Sequence, residues 1–279
     1  MKKNLLLAIF FLTVITLEIN AQVIQTQKGL TTIIFNNPAG SIKVYLPLDI
    51  RPGDIISGSI NTDPVGKNVR QIEKNLAQLK KYSIDFNGKK IPVSNTDKVF
   101  HTIIINENVA SNKVSLINSK GAKEAEVNLP VSLNDEHKTV PATCGIPSHA
   151  LIASPLRITG PFDGDASNTK CTVGSLPCEI IAESNRGCFI KFPENVKGIN
   201  EIKIAEKENP PCKSNISAVD MNVSANKLSL LKGEKTQINV AISGLQQLPS
   251  NATLDIVNKT ENIVVLQGGN QQKEIIAPA

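Results

Sequence analysis

Residues 31–46 read TTIIFNNPAGSIKVYL, two runs rich in β-branched residues parted by Asn, Pro, Ala and Gly. Side chains branched at Cβ lose rotamer freedom in a helix and fit the pleated surface of a sheet, so each run reads as a strand and the residues between them as a turn. The pattern continues outward, with DIISGSI, VFHTIIIN, KVSLIN and EAEVNLP following at short spacing. Several short strands with few helical stretches indicate an all-β protein built as sandwiches or barrels.

One segment departs from this pattern. In KNVRQIEKNLAQLKK, residues 67–81, the apolar residues Val69, Ile72, Leu76 and Leu79 recur at helical spacing, which predicts a single amphipathic helix laid over a sheet or its end. Lys67, Arg70, Lys74 and Lys81 gather on the opposite side as a basic ridge. Such a ridge is a candidate contact for an anionic polymer or lipid surface; the plainer reading is a solvated face that keeps the domain soluble. The helix runs into YSIDFNGKKIPV, residues 82–93, where Asn87 and Gly88 suit a two-residue hairpin turn whose central positions both need positive φ. The pairing then sets Ile84 opposite Ile91 and Tyr82 opposite Val93 on one face.

The chain has 279 residues, and its start has the plan of a secretory signal. Lys2 and Lys3 precede an apolar stretch, Leu5 to Leu17, and Ala21 supplies the small residue before a cut. The stretch is short for a membrane span and none longer follows, so no transmembrane segment is expected after cleavage. Removing 21 residues leaves 258, enough for two or three small domains, with 28 basic against 24 acidic residues and a formal charge of +4. That mild excess points to no particular partner, and no nucleic acid is expected. The mature part keeps six Phe and two Tyr and has no Trp, which disfavours sugar binding on exposed indole platforms.

All five cysteines, Cys144, Cys171, Cys178, Cys188 and Cys212, lie in one stretch of the chain, and export permits disulfides. Between them, SPLRITGPFDGDASNTKCTVGSLPCEIIAESNRGCFIKFPENVKGINEIKIAEKE, residues 154–208, resembles an IPT/TIG domain, an immunoglobulin-like module. Leu156, Ile158, Gly160 and Phe162 match the opening of that family, and Val173 with Gly174 matches its hairpin. Ser184, Phe192, Pro193, Gly198, Ile202 and Ile204 match its later strands. Ser175 and Asn185 depart from the pattern, standing where Gly and Pro are common.

Within this stretch GPFDGDASNTKC, residues 160–171, has the look of a calcium loop, yet Asn168 and Gly174 occupy the places where an EF-hand needs Gly and the closing Glu. Asp163, Asp165 and Ser167 would give only part of a shell, so the loop is read as a turn. In CTVGSLPC a hairpin turning at Gly174 and Ser175 sets Cys171 opposite Cys178, as a cross-strand disulfide or a packed pair of thiols. Cys144 and Cys212 bracket the domain and form a second candidate disulfide.

Beyond it, LLKGEKTQINVAISGL resembles a strand, turn and strand of a bacterial Ig-like domain. Only 62 residues remain from Ala218, against about 100 in an Ig sandwich, so this domain looks incomplete. The expected organisation is a signal peptide at 1–21, a β-sandwich domain with one helix at 22–138, and an IPT/TIG-like domain at 139–215. An Ig-like domain follows at 216–279.

Signals for chemistry are sparse. His101, His137 and His149 are scattered without a partner at metal-ligand spacing, and Glu124 with Glu126 reads as a solvated sheet face. No nucleophile elbow, phosphate loop or zinc-protease helix is present, so no catalytic residue, metal or cofactor is expected. The reading is a noncatalytic, modular Ig-like protein, secreted to the periplasm, cell surface or exterior, acting in adhesion, assembly or as a binding scaffold. The alternatives are an accessory binder of glycan or other surface polymer and, behind it, a hydrolase with an unrecognised site. The partner would be a cell-surface polysaccharide or another surface protein.

Overall fold

A computed structural model describes residues 22–27, 30–48, 50–51, 53–95, 101–104, 111–130, 140–206, 210–226 and 238–245. The signal at 1–21, the linker residues 134–139 with His137, and most of the expected C-terminal domain lie outside the described residues.

The first strands are β1 (Gln22–Gln27), β2 (Leu30–Asn37), β3 (Gly40–Pro47) and β4 (Ile55–Pro64), followed by helix α1 (Val69–Leu79). Next come β5 (Ser83–Phe86), β6 (Lys89–Pro92), β7 (His101–Ile104), β8 (Ser111–Ile117), β9 (Lys123–Pro130), β10 (His149–Leu151) and β11 (Pro155–Thr159). The chain continues with β12 (Thr169–Val173), β13 (Leu176–Pro177), β14 (Glu179–Ser184), β15 (Gly187–Lys191), β16 (Gly198–Glu206), β17 (Cys212–Ala225) and β18 (Ile238–Ser243). The described chain is therefore mostly β with one α-helix, in the class expected from the sequence.

Two compact units emerge. One is drawn from Met1–Cys144, Thr159–Asn168 and Ile180–Phe189, the other from Gly145–Ile158, Thr169–Glu179 and Ile190–Ala279.

In the first unit one sheet runs β1-β2-β3-β4-β14-β15, with β7 also paired to β4, and a second sheet runs β6-β5-β8-β9. The two meet as a sandwich. Ile33, Phe35, Ile42, Val44, Leu46 and Ile56 from the first sheet and Ile84, Phe86, Val114, Leu116 and Val127 from the second share one buried core. The alternation that the sequence shows in β2 and β3 thus points every second side chain inward, and each one fully buried contributes about 1.5–3 kcal/mol. Strand β4 serves three neighbours along its length, pairing Ser59–Pro64 with β3, Ile55–Gly58 with β7, and Ile56 and Ser57 with β14.

The hairpin forms as its residues imply. Asn87 and Gly88 sit at φ 49 and 91, and Ile84 pairs with Ile91. The Val93 N–H donates to Tyr82 O at 3.0 Å.

Helix α1 is shorter than its sequence pattern. Asn68 caps it, accepting from Gln71 N at 3.0 Å, and the Gln71 side chain accepts from Lys67 N at 3.1 Å in the manner of a capping box. Lys67 and Lys81 therefore fall outside the helix. The apolar stripe is also only half used: Leu79 is buried and Leu76 half-buried, whereas Val69 is 70% and Ile72 37% exposed. Four residues separate α1 from β4, and it is the end of the helix, through Leu79, that reaches the core.

In the second unit the sheet order is β10-β17-β16-β12-β13, with β18 paired to the distal half of β17. β10 joins β17 in parallel and the other pairings in this sheet are antiparallel. Leu156, Ile158, Val173, Ile190, Phe192, Ile202, Ile204 and Ile216, several of them positions of the family-like pattern, are buried in this unit. Gly198, at φ 66, opens β16. Among the described residues no helix is long and apolar enough to cross a membrane.

Candidate functional site

A groove of about 570 Å³ opens on the first unit between the C-terminal half of α1 and the turn joining β8 to β9. Its walls follow from local structure. The last turns of α1 supply Lys74, Ala77 and Gln78, and the chain leaving the helix supplies Lys81 and Tyr82. Opposite them, the β8–β9 turn presents Asn118, Ser119 and Lys120, and Glu124 follows on β9.

Asn118 builds that turn. Its Oδ1 accepts from Lys120 N at 2.9 Å and Ala122 N at 3.0 Å, while its backbone N–H donates to Ala122 O at 2.9 Å. Its Nδ2 donates to Glu124 Oε1 at 2.9 Å, which occupies one oxygen of the single acid in the groove. On the other wall Tyr82 is half-buried against the core, and its hydroxyl accepts from Asn37 Nδ2 at 2.8 Å, so the ring is held in place. Three lysines face one glutamate. None of Lys74, Lys81 and Lys120 makes an ion pair among the described residues, which leaves their charge available to a ligand.

The basic ridge read from the sequence is therefore divided. Lys67, Arg70, Lys74 and Lys81 are all exposed, but only Lys74 and Lys81 line the groove. Lys120 carries no signal in the sequence, because a turn residue between two strands shares no periodicity with a helix distant in the chain. Tyr82 shows there only as a hairpin residue.

In the loop with the calcium-like pattern the aspartates accept hydrogen bonds from the loop itself. Asp163 Oδ1 accepts from Asp165 N at 2.6 Å and its Oδ2 from Asn168 Nδ2 at 2.8 Å. Asp165 Oδ1 accepts from Ser167 N at 3.1 Å and from its hydroxyl at 2.7 Å. Carboxylate oxygens of Asp163 and Glu183 also come within 4.8 Å of each other.

Cys144 and Cys212 are disulfide-bonded. Cys171, Cys178 and Cys188 are thiols. Cys171 and Cys178 stand opposite each other, flanking the Thr172–Pro177 and Val173–Leu176 pairs of a hairpin that turns at Gly174, as the spacing implies. Glu126 bonds to Lys113 Nζ at 3.2 Å, to Ser115 Oγ at 3.1 Å and to Lys123, so it is engaged within its own hairpin. His149 is exposed beside Ser148 Oγ at 2.9 Å, and the side chain of His101 lies outside the described residues.

No protein-family model matches the chain, and no curated protein matches it. Among solved structures it is similar to the surface glycan-binding protein SGBP-B of the Bacteroides ovatus mixed-linkage glucan utilization locus, in complex with a mixed-linkage heptasaccharide. The identity is 11% and the TM-score 0.26, over 74% of this chain and 58% of that one. It is also similar to the insect immune protein hemolin, at 10% identity and TM-score 0.22 over 75% of this chain and 67% of that one. A third is the γ-CGTase of an alkalophilic Bacillus clarkii, at 8% identity and TM-score 0.24 over 74% of this chain and 30% of that one. The chain thus spans little more than half the length of the Bacteroides protein. None of these values is high enough to transfer a site or a ligand.

Proposed function

We propose that the protein is a secreted, noncatalytic modular β protein that works at the cell surface as a binding or assembly scaffold, and that it holds an acidic polysaccharide in the groove of its first unit. In this proposal residues 22–138, 139–215 and 216–279 are successive modules, the middle one of IPT/TIG type. One observation carries the ligand: Lys74, Lys81 and Lys120, without ion pairs among the described residues, line one groove together with Tyr82.

The chemistry favours sugar over lipid. Gln78 and Ser119 line the same groove and offer neutral donors and acceptors suited to hydroxyls, and the fixed Tyr82 ring offers an apolar edge. Each exposed ammonium near a carboxylate contributes on the order of 1 kcal/mol in water. Affinity from three such contacts is modest and falls as salt screens them.

The test is binding of the full chain to polygalacturonate, to a neutral glucan and to anionic phospholipid vesicles across a salt series. The parent is expected to bind polygalacturonate alone, more weakly at high salt, and the triple variant Lys74→Glu, Lys81→Glu, Lys120→Glu to lose that binding. A control with Lys67→Glu and Arg70→Glu, which lie off the groove, should bind as the parent does. Equal loss in the control would return the reading to the helix ridge, and preference for vesicles would replace sugar by lipid. A parent that binds none of the three would end the proposal.

A further inference from the structure

In the second unit the Cys171–Cys178 hairpin holds two thiols together. Cys178 N donates to Cys171 O at 2.9 Å, which fixes the two residues as directly opposed neighbours across β12 and β13. Opposed residues of a hydrogen-bonded antiparallel pair have Cα atoms about 5.5 Å apart, inside the range that a disulfide spans. The thiols are hydrogen-bonded to each other. They differ in access: Cys171 is 4% exposed, whereas Cys178 is only half-buried.

We propose that Cys171 and Cys178 form a thiol–disulfide exchange site, with Cys178 the attacking sulfur, Cys171 the resolving sulfur and small-molecule or protein disulfides the substrate class. The reaction balances in two steps. Cys178 thiolate attacks one sulfur of the external disulfide, making a mixed disulfide and expelling the other sulfur as a thiolate. Cys171 then gives up its proton and attacks the Cys178 sulfur, closing the Cys171–Cys178 bond and releasing the second thiol. The external disulfide gains two electrons and two protons, and the hairpin loses them.

The surroundings support this division of labour. The hydrogen bond to Cys171, reinforced by a backbone hydrogen bond from Val173, lowers the Cys178 pKa, and burial opposes them. A lowered pKa enlarges the thiolate fraction, and the thiolate is the form that attacks a disulfide. The buried neighbour is shielded from bulky reagents yet within reach of a mixed disulfide on Cys178. The hairpin already has the bridged register, so closing the bond asks little of the backbone.

The experiment uses the full chain with its Cys144–Cys212 disulfide intact. Glutathione disulfide is added at graded ratios to glutathione, the mixture is quenched with acid, and peptides are mapped by mass. Cys171–Cys178 is expected to close while the chain remains folded, and to reopen with glutathione. Brief alkylation of the native dithiol form should label Cys178 at least about tenfold faster than Cys171. Cys171→Ser should accumulate glutathione on Cys178, whereas Cys178→Ser should accumulate none on Cys171. Circular dichroism checks that each variant folds, and the parent's own disulfide map decides the matter if one does not. A folded parent whose two thiols stay reduced in excess glutathione disulfide, or label at equal rates, would overturn the assignment.

Discussion

Asp54 and Arg186, which are 132 positions apart in the chain, form an ion pair inside the first unit with side chains 8% and 7% exposed. The guanidinium meets both carboxylate oxygens, through Nη1 to Oδ1 at 3.4 Å and Nη2 to Oδ2. Arg51 N donates to Oδ2 at 2.9 Å and Asn185 Nδ2 to Oδ1 at 3.3 Å. Asn185 is one of the two departures from the family-like pattern, and here its amide braces the acid. A buried pair costs desolvation, but removing one partner strands the other charge. Asp54→Ala should lower stability by about 3–5 kcal/mol, whereas the apolar double substitution Asp54→Leu with Arg186→Met should be near neutral. Urea unfolding of both variants decides it; equal losses would mean that the site needs the charges themselves.

Ser57 anchors the loop that looks like a calcium site. Its hydroxyl donates to Gly164 O at 2.8 Å and accepts from Ala166 N at 3.0 Å. Gly164 sits at φ +82, and an added Cβ would lie 2.1 Å from Ile55 O. Ser57→Ala leaves a buried carbonyl and a buried N–H to find other partners and should cost about 1–3 kcal/mol. Gly164→Ala should cost more, since it combines a clash with a left-handed backbone. Thermal unfolding should rank the two in that order. A neutral Gly164→Ala would show that the loop can leave β4 without loss.

Where a signal is local, the sequence carries it. Alternation in β2 and β3, the Asn87-Gly88 turn and the opposition of Cys171 to Cys178 each depend on residues within one hairpin, so the order of residues alone makes each of them legible. Contacts between distant segments leave no such trace. Asp54 with Arg186 and Ser57 with Gly164 join segments more than a hundred positions apart, and neither residue type advertises a partner. The groove is half legible. Lys74 and Lys81 follow from helical period, but Lys120 enters only once β8 and β9 pair and turn beside α1.

Acid should act on the β8–β9 hairpin through Glu126. Hydrogen bonds from Lys123 and Lys113, with a smaller one from Ser115, hold its pKa at about 2 against an ordinary 4.5. The folded value lies below the unfolded one, so the stabilisation is fully present above about pH 4.5 and is lost as pH falls toward 2. Glu126→Gln should therefore flatten the acid limb of the stability curve in that window, lying slightly below the parent at pH 7, by an amount that solvent screening keeps small, and meeting it near pH 2. Denaturant melts of parent and variant from pH 2 to 7 would show it. A parent curve that is already flat below pH 4.5 would remove Glu126 from the account.

The helix offers the sharpest contrast between pattern and packing. Val69 and Leu79 belong to one apolar stripe in sequence, yet Val69 is 70% exposed and Leu79 0%. Leu79 packs into the core shared by the two sheets, among Ile84 and Phe86. Leu79→Ala removes buried methylene surface and leaves a cavity, a loss of about 2–5 kcal/mol. Val69→Ala removes mostly exposed surface and replaces a β-branched residue by the best helix former, so its effect should stay within about 0.5 kcal/mol and can be favourable. Urea unfolding of the two variants measures both. Comparable losses would mean that the first turn of α1 packs against apolar surface in solution, which would bring Val69 and Ile72 back into the core that their spacing implies.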